Sequence, residues 1–147
     1  MAFSLPKLWA RLRHPRKPLT PRQALGRQYE RAARTYLQSA GYVIEATNVR
    51  FPVGELDVVA LDGDTLCFVE VRSRTTDRFG TAQASITEEK RRHLIRAAQW
   101  YLRSRQPVWN GPMRFDVVAI NLSAPASAHP ELIRNAFSAD PEPSSSW

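Results

Sequence analysis

Apolar positions along this chain alternate between two spacings, and the switches mark the elements. From Thr20 the spacing is helical: Leu25, Tyr29, Ala32, Ala33, Tyr36, Leu37 and Ala40 fall on one arc. Thr20 is placed to cap this helix, Pro21 suits its first position and Gln23 completes a capping box. Gly41 supplies the stop. Tyr42 to Val49 then reads as a first strand, with Asn48 to Gly54 a turn or irregular bend. Residues 54–74, GELDVVALDGDTLCFVEVRSR, hold two more strands around an Asp-Gly turn. A polar connection, TTDRFGTAQASI, leads to a cap-like Thr87 with Glu88 and Glu89 in the first turn, where the helix dipole favours them. Helical spacing returns with Leu94, Ala97, Ala98, Tyr101 and Leu102 and ends before Pro107, and RFDVVAI at 114–120 reads as a further strand. The order is helix, three strands, helix, strand: an α/β domain with a mixed sheet in two or three layers.

The two ends differ from this middle. In MAFSLPKLWARLRHPRKPLT, Leu5, Leu8, Trp9 and Leu12 keep helical spacing, but Pro6, Pro15 and Pro18 confine any helix to a short piece. The expected organisation is a basic, flexible arm over 1–19, one domain over 20–122, and a Pro/Ser-rich segment over 123–147. Within that last segment only 131–137 has enough apolar residues to dock, and the remainder is expected to be disordered.

Charge sharpens the picture. The chain of 147 residues carries a formal charge of +7, and residues 1–22 contribute six bases and no acid. Such an arm suits a polyanion or an anionic membrane surface, or serves only as a solubilising tail. The single cysteine, Cys67, lies in the apolar run LCFV and reads as an inert core thiol; it allows no internal disulfide and fits a reducing compartment. With no membrane-span-length apolar run and no apolar leader, the expected setting is cytoplasmic.

The candidate chemistry sits inside the most apolar strands. A two-residue Asp62-Gly63 turn would pair Glu55 with Glu70 and Asp57 with Phe68. Glu55, Asp57, Glu70 and Arg72 would then share one face, with Asp57 and Glu70 as diagonal neighbours. Moving the turn to Gly63-Asp64 keeps the shared face. Carboxylates crowded in an apolar setting repel one another and lose hydration, so they need a cation. Arg72 is one candidate and a hard divalent ion, Mg²⁺ or Mn²⁺, is the other. Zinc has no Cys/His cluster to hold it, since His14, His93 and His129 are scattered. The plain alternative is a half-exposed sheet face with ordinary ion pairs.

These residues carry a resemblance. GRQYE with Gly26 and Glu30, Gly41-Tyr42, Asn48, GELD at 54–57, FVEVRSR at 68–74, Phe79-Gly80, Lys90 and RFDVV at 114–118 together resemble the PD-(D/E)XK nuclease superfamily. More narrowly, the chain is similar to the YraN family of uncharacterised bacterial proteins, thought to be nucleases related to archaeal Holliday-junction resolvases. The resemblance implies a restriction-endonuclease-like α-β-β-β-α-β core, with a mixed sheet flanked by helices. It implies that Glu30, Asp57 and Glu70 surround one or two metal ions, with Arg72 as a further catalytic position. The superfamily normally has Lys where Arg72 stands, and arginine is a poor proton acceptor. Lys90 either snorkels from the start of its helix or supplies an ammonium near the site.

Arg74, Arg78, Lys90, Arg91 and Arg92 cluster in sequence and suit phosphate contacts without base preference. The implied function is metal-dependent hydrolysis of DNA, branched DNA being the substrate the relatives suggest, and a homodimer fits enzymes that cut two strands. The alternatives are a nuclease fold retained for nucleic-acid binding with turnover weakened at Arg72, and a protein-interaction adaptor whose acids form a structural network.

Overall fold

A computed structural model describes residues 18–74, 85–123 and 130–139 of the chain. Most of the basic arm, the connection that carries Arg78, and residues 140–147 lie outside the described residues. Seven elements follow in order: α1 (Pro21–Ser39), β1 (Val43–Phe51), β2 (Gly54–Asp62), β3 (Thr65–Arg74), α2 (Glu88–Ser104), β4 (Met113–Asn121) and β5 (Glu131–Phe137). The expected α-β-β-β-α-β order is present, and the dockable segment near the C-terminus adds a fifth strand. The strands form one sheet in the order β1-β2-β3-β4-β5. β3 and β4 run parallel, joined through α2, and the other neighbours are antiparallel. No helix among the described residues is long and apolar enough to cross a membrane.

The capping chemistry works as the sequence suggests. The Thr20 side chain accepts from the Gln23 N–H while the Gln23 side chain accepts from the Thr20 N–H. Thr87 caps α2 in the same way through the Lys90 N–H.

The helices cover opposite faces of the sheet. Leu94, Ala97, Ala98 and Tyr101 of α2 pack with Val59, Leu66, Phe68, Phe115 and Val117. Ala33 and Leu37 of α1 pack with Val58, Ala60, Cys67, Val69 and Val118. Cys67 is a buried free thiol, as its apolar run suggests. Of the arc expected on α1, only Ala33 and Leu37 are buried, and Leu25 is 45% exposed. The helix meets the sheet through its second half, so its first turns have no core to cover among the described residues.

One register expectation is corrected. Asp62 pairs with Thr65, so the turn is Gly63-Asp64, and Val59, not Asp57, faces Phe68. Gly63 takes a φ of +60°, a conformation that costs glycine little. A two-residue slip by itself changes no side chain's face, because the strand period is two. It moves Glu70 from opposite Glu55 towards Asp57.

Candidate metal and nucleic-acid site

The site begins with a break in the pleat. Ala46 and Val49 of β1 both pack into the core beneath α2, and so do Leu56 and Val59 of β2. Residues three apart on a regular strand face opposite sides, so each strand changes phase between them. The changes fall at Asn48 and Asp57. Asn48 adopts a φ of +50°, which asparagine tolerates better than most residues. β1 and β2 stay paired on both sides of the break, Thr47 with Val58 and Val49 with Leu56.

β2 and β3 part at the same level. Their last pair is Val58 with Val69, and beyond it the Val71 N–H donates to Asp57 Oδ2 at 2.9 Å. A side-chain carboxylate therefore takes the place of a ladder carbonyl, and this fixes Asp57 beside Glu70. Glu70 is 5% exposed. Its Oε1 lies 3.3 Å from Lys90 Nζ, while its Oε2 is buried with no hydrogen-bond partner. A buried carboxylate oxygen without a partner is costly. Burial and then the Glu70 charge push the Asp57 carboxyl up to about 7. One ammonium thus faces two crowded acids.

Glu30 lies at the margin of this pair. It is half-buried, and its pKa is raised by burial and by the charges of Asp57 and Glu55, while a hydrogen bond from the Asn48 side chain works the other way. Asn48 therefore shapes the strand and also holds Glu30. Its place in the motif was visible in the sequence, but its positive φ was not. Among the described residues, no three His, Cys, Asp or Glu side chains stand together as a ready ligand group. The structure brings Asp57 and Glu70 together, with Glu30 alongside.

The remaining candidates are placed variously. Arg72 Nη2 donates to the Ser85 carbonyl at 2.8 Å, tying β3 to the approach to α2. Lys90 occupies the second of its two alternatives, at Glu70. Glu55 does not share the face of Glu70 as expected: its neighbour Leu56 packs beneath α2, on the Glu70 side, so Glu55 turns the other way and pairs with Arg50 at 3.4 Å. Arg74 bonds to Glu131 of β5 at 2.9 Å, Arg91 lies over the Phe137 ring, and Arg92 reaches Glu88 on its own helix. Arg74 and Arg91 thus brace β5, and Arg92 is the most exposed of the three. Arg78 is outside the described residues.

Comparison with known proteins places the chain in a family. The model of the uncharacterised protein family UPF0102 matches residues 29–120. The chain belongs to this family. A UPF0102 protein of Desulfosudis oleivorans is 45% identical over 122 residues, covering 83% of this chain and 96% of that one. A UPF0102 protein of Yersinia enterocolitica is 45% identical over 116 residues, covering 78% and 95%. One from Pseudomonas fluorescens is 46% identical over 115 residues, covering 78% and 94%. The UPF0102 match runs from the residue before Glu30 to Ile120 of β4, so it contains Glu30, Asn48, Asp57, Glu70 and Lys90 and leaves out the basic arm and β5.

Proposed function

We propose that this UPF0102 protein is a metal-dependent endonuclease acting on DNA, with Asp57 and Glu70 as the carboxylates that hold Mg²⁺ or Mn²⁺. The observation that carries the reading is the buried, unpartnered Oε2 of Glu70 beside an Asp57 whose carboxyl is pushed up to about 7. A divalent cation would relieve both. Magnesium keeps several of its waters and is commonly held by one or two protein carboxylates plus substrate phosphate, so a pair with Glu30 in reserve suits it. When bound, such an ion supplies an activated water and offsets charge building on a scissile phosphate.

The chain's own residues take defined parts in this reading. The Val71 N–H fixes the Asp57 carboxylate, and Lys90 holds one oxygen of Glu70 and leaves the other to the ion. Lys90 also brings an ammonium to the place where the motif lysine is missing. Branched DNA as the substrate rests on the resemblance to junction resolvases.

A second reading, a binding module with weakened turnover, is favoured by one observation: the Arg72 guanidinium is engaged with the Ser85 carbonyl and cannot act as a proton acceptor. Calorimetric titration of Mn²⁺ into the protein and into Asp57→Asn tests the site. Saturable binding that the substitution abolishes supports it, and absence of binding to the wild type counts against it. Cleavage of four-way junctions that appears only in Arg72→Lys would favour the second reading.

A further inference from the structure

The charge on α1 is arranged against the stability of its own helix. Arg22, Arg27, Arg31 and Arg34 share the helix with one acid, Glu30. Arg22 stands in the first turn, which holds no acid, so it opposes the helix dipole. Arg27 and Arg31 are like charges one turn apart, which weakens a helix further. α2 shows the favourable pattern instead, with Glu88 and Glu89 in its first turn and Arg103 in its last.

Arg22, Arg27 and Arg31 are exposed, and none makes a hydrogen bond or ion pair among the described residues. Arg34 is half-buried and acts electrostatically on Glu30.

Position gives the row its meaning. Glu30 is three residues after Arg27 and four before Arg34, so it shares a flank of α1 with them. Glu30 is also the residue that Asn48 holds beside Asp57. Arg27, Arg31 and Arg34 therefore run along the outer margin of the acidic site. Arg27 to Arg34 spans roughly 10 Å of helix axis. That is on the order of three phosphates along one strand of a duplex.

We infer that Arg27, Arg31 and Arg34 form a track for the phosphate backbone of one strand of duplex DNA, held along α1 beside the carboxylates. The inference rests on the proposed nuclease reading and names the surface that delivers its substrate. It moves the main phosphate contacts from the start of α2, where Arg74 and Arg91 are engaged with β5, to the opposite face of the sheet.

The test is binding of a short labelled duplex, followed by fluorescence anisotropy in EDTA across a range of salt. EDTA separates binding from metal capture and from cleavage. The variant Arg27→Gln/Arg31→Gln/Arg34→Gln should lose at least tenfold in affinity at low salt. Its log–log salt slope should be shallower by about 2 to 3, one for each phosphate contact removed. Arg103→Gln, at the far end of α2, should leave the slope unchanged. Arg31→Gln alone, at an exposed position, should lower the slope by about 1 and covers the case in which the triple variant folds poorly.

An unchanged slope in the folded α1 variants overturns the inference while leaving the metal site intact. Failure of the wild type to bind duplex overturns it as well, and the Mn²⁺ titration then judges the carboxylate site separately. Polyglutamate competing as well as unlabelled duplex would reassign the row to an acidic protein and likewise overturn it.

Discussion

Two groups of acids in this small domain each hold a buried carboxylate, one around Asp116 of β4 and one around Glu70 where β2 and β3 splay apart, and they are treated in opposite ways. In the first, Asp116 is fully buried and every oxygen is engaged. Arg114 donates to it at 2.9 Å, the Tyr42 hydroxyl at 3.0 Å and the Asn135 N–H at 2.9 Å. Arg114 also pairs with Asp62, whose pKa it holds below the usual carboxylate range. Burial and the Asp116 charge push the Tyr42 hydroxyl up to about 12, so it stays a donor at any ordinary pH. At the splayed end, two acids share one lysine, one oxygen has no partner, and Asp57 is driven towards the protonated form. Closed networks hold folds together; an open one within the same fold is where the proposed cation would bind.

Breaking the closed network should have the largest effect. Asp116→Ala leaves Arg114 without its buried counter-charge and the Asn135 N–H without an acceptor, and should cost about 3–5 kcal/mol in urea unfolding. Asp57→Asn, also an acid removed from a partly buried setting, should cost little at pH 8 or stabilise the protein, because it relieves repulsion with Glu70. Equal losses from the two substitutions would erase the distinction.

The next effect is a pH dependence of opposite sign to that of ordinary paired carboxylates. Asp57 is raised from about 4 in the unfolded chain to about 7 in the fold, so between those values the folded state holds a proton that the unfolded state has released. Stability contributed by this group therefore falls as pH rises through that window and levels off above it. The total is a few kcal/mol at most, at about 1.4 kcal/mol for each pK unit. Subtracting the pH–stability curve of Asp57→Asn from that of the wild type isolates the slope. A flat difference across the window would show that Asp57 is not strained by its neighbours.

Cation binding sharpens the same contrast. At pH 8, Mn²⁺ at about a hundred times its dissociation constant should stabilise the wild type by about 2.7 kcal/mol. Asp57→Asn should gain nothing, and Asp116→Ala, if folded, should keep the full increment. A gain in both variants would place the ion elsewhere.

The two groups were unequally legible in the sequence. Alternation brought Asp57 and Glu70 together, and a register slip of two residues left them neighbours, but the phase change at Asp57 took Glu55 off the expected shared face. The caps of both helices and the dockable segment at 131–137 were legible from local chemistry. The Asp116 network was not, because it joins Tyr42, Asp62, Arg114 and Asn135 across four separate stretches of chain. The phase change at Asn48 and Asp57 was hidden for a different reason. It is a backbone event, and the residue types around it keep an apolar rhythm that reads as plain strand. The α1 arginines were not read as a group from the sequence, because only the placement of Glu30 beside Asp57 gives them a common direction.

The smallest expected effect tests whether Lys90 belongs to the open group or merely leans on it. Its ammonium is partly exposed, so its removal should change stability little. Yet its charge is one of the influences that lower the Asp57 carboxyl, against burial and Glu70. Lys90→Met should therefore move the Asp57 midpoint further up, as read by carboxyl-carbon NMR titration, and should weaken Mn²⁺ binding near neutral pH because more of the site is protonated. An unmoved midpoint would mean that the 3.3 Å contact with Glu70 does not reach Asp57 and that Lys90 stands outside the open group.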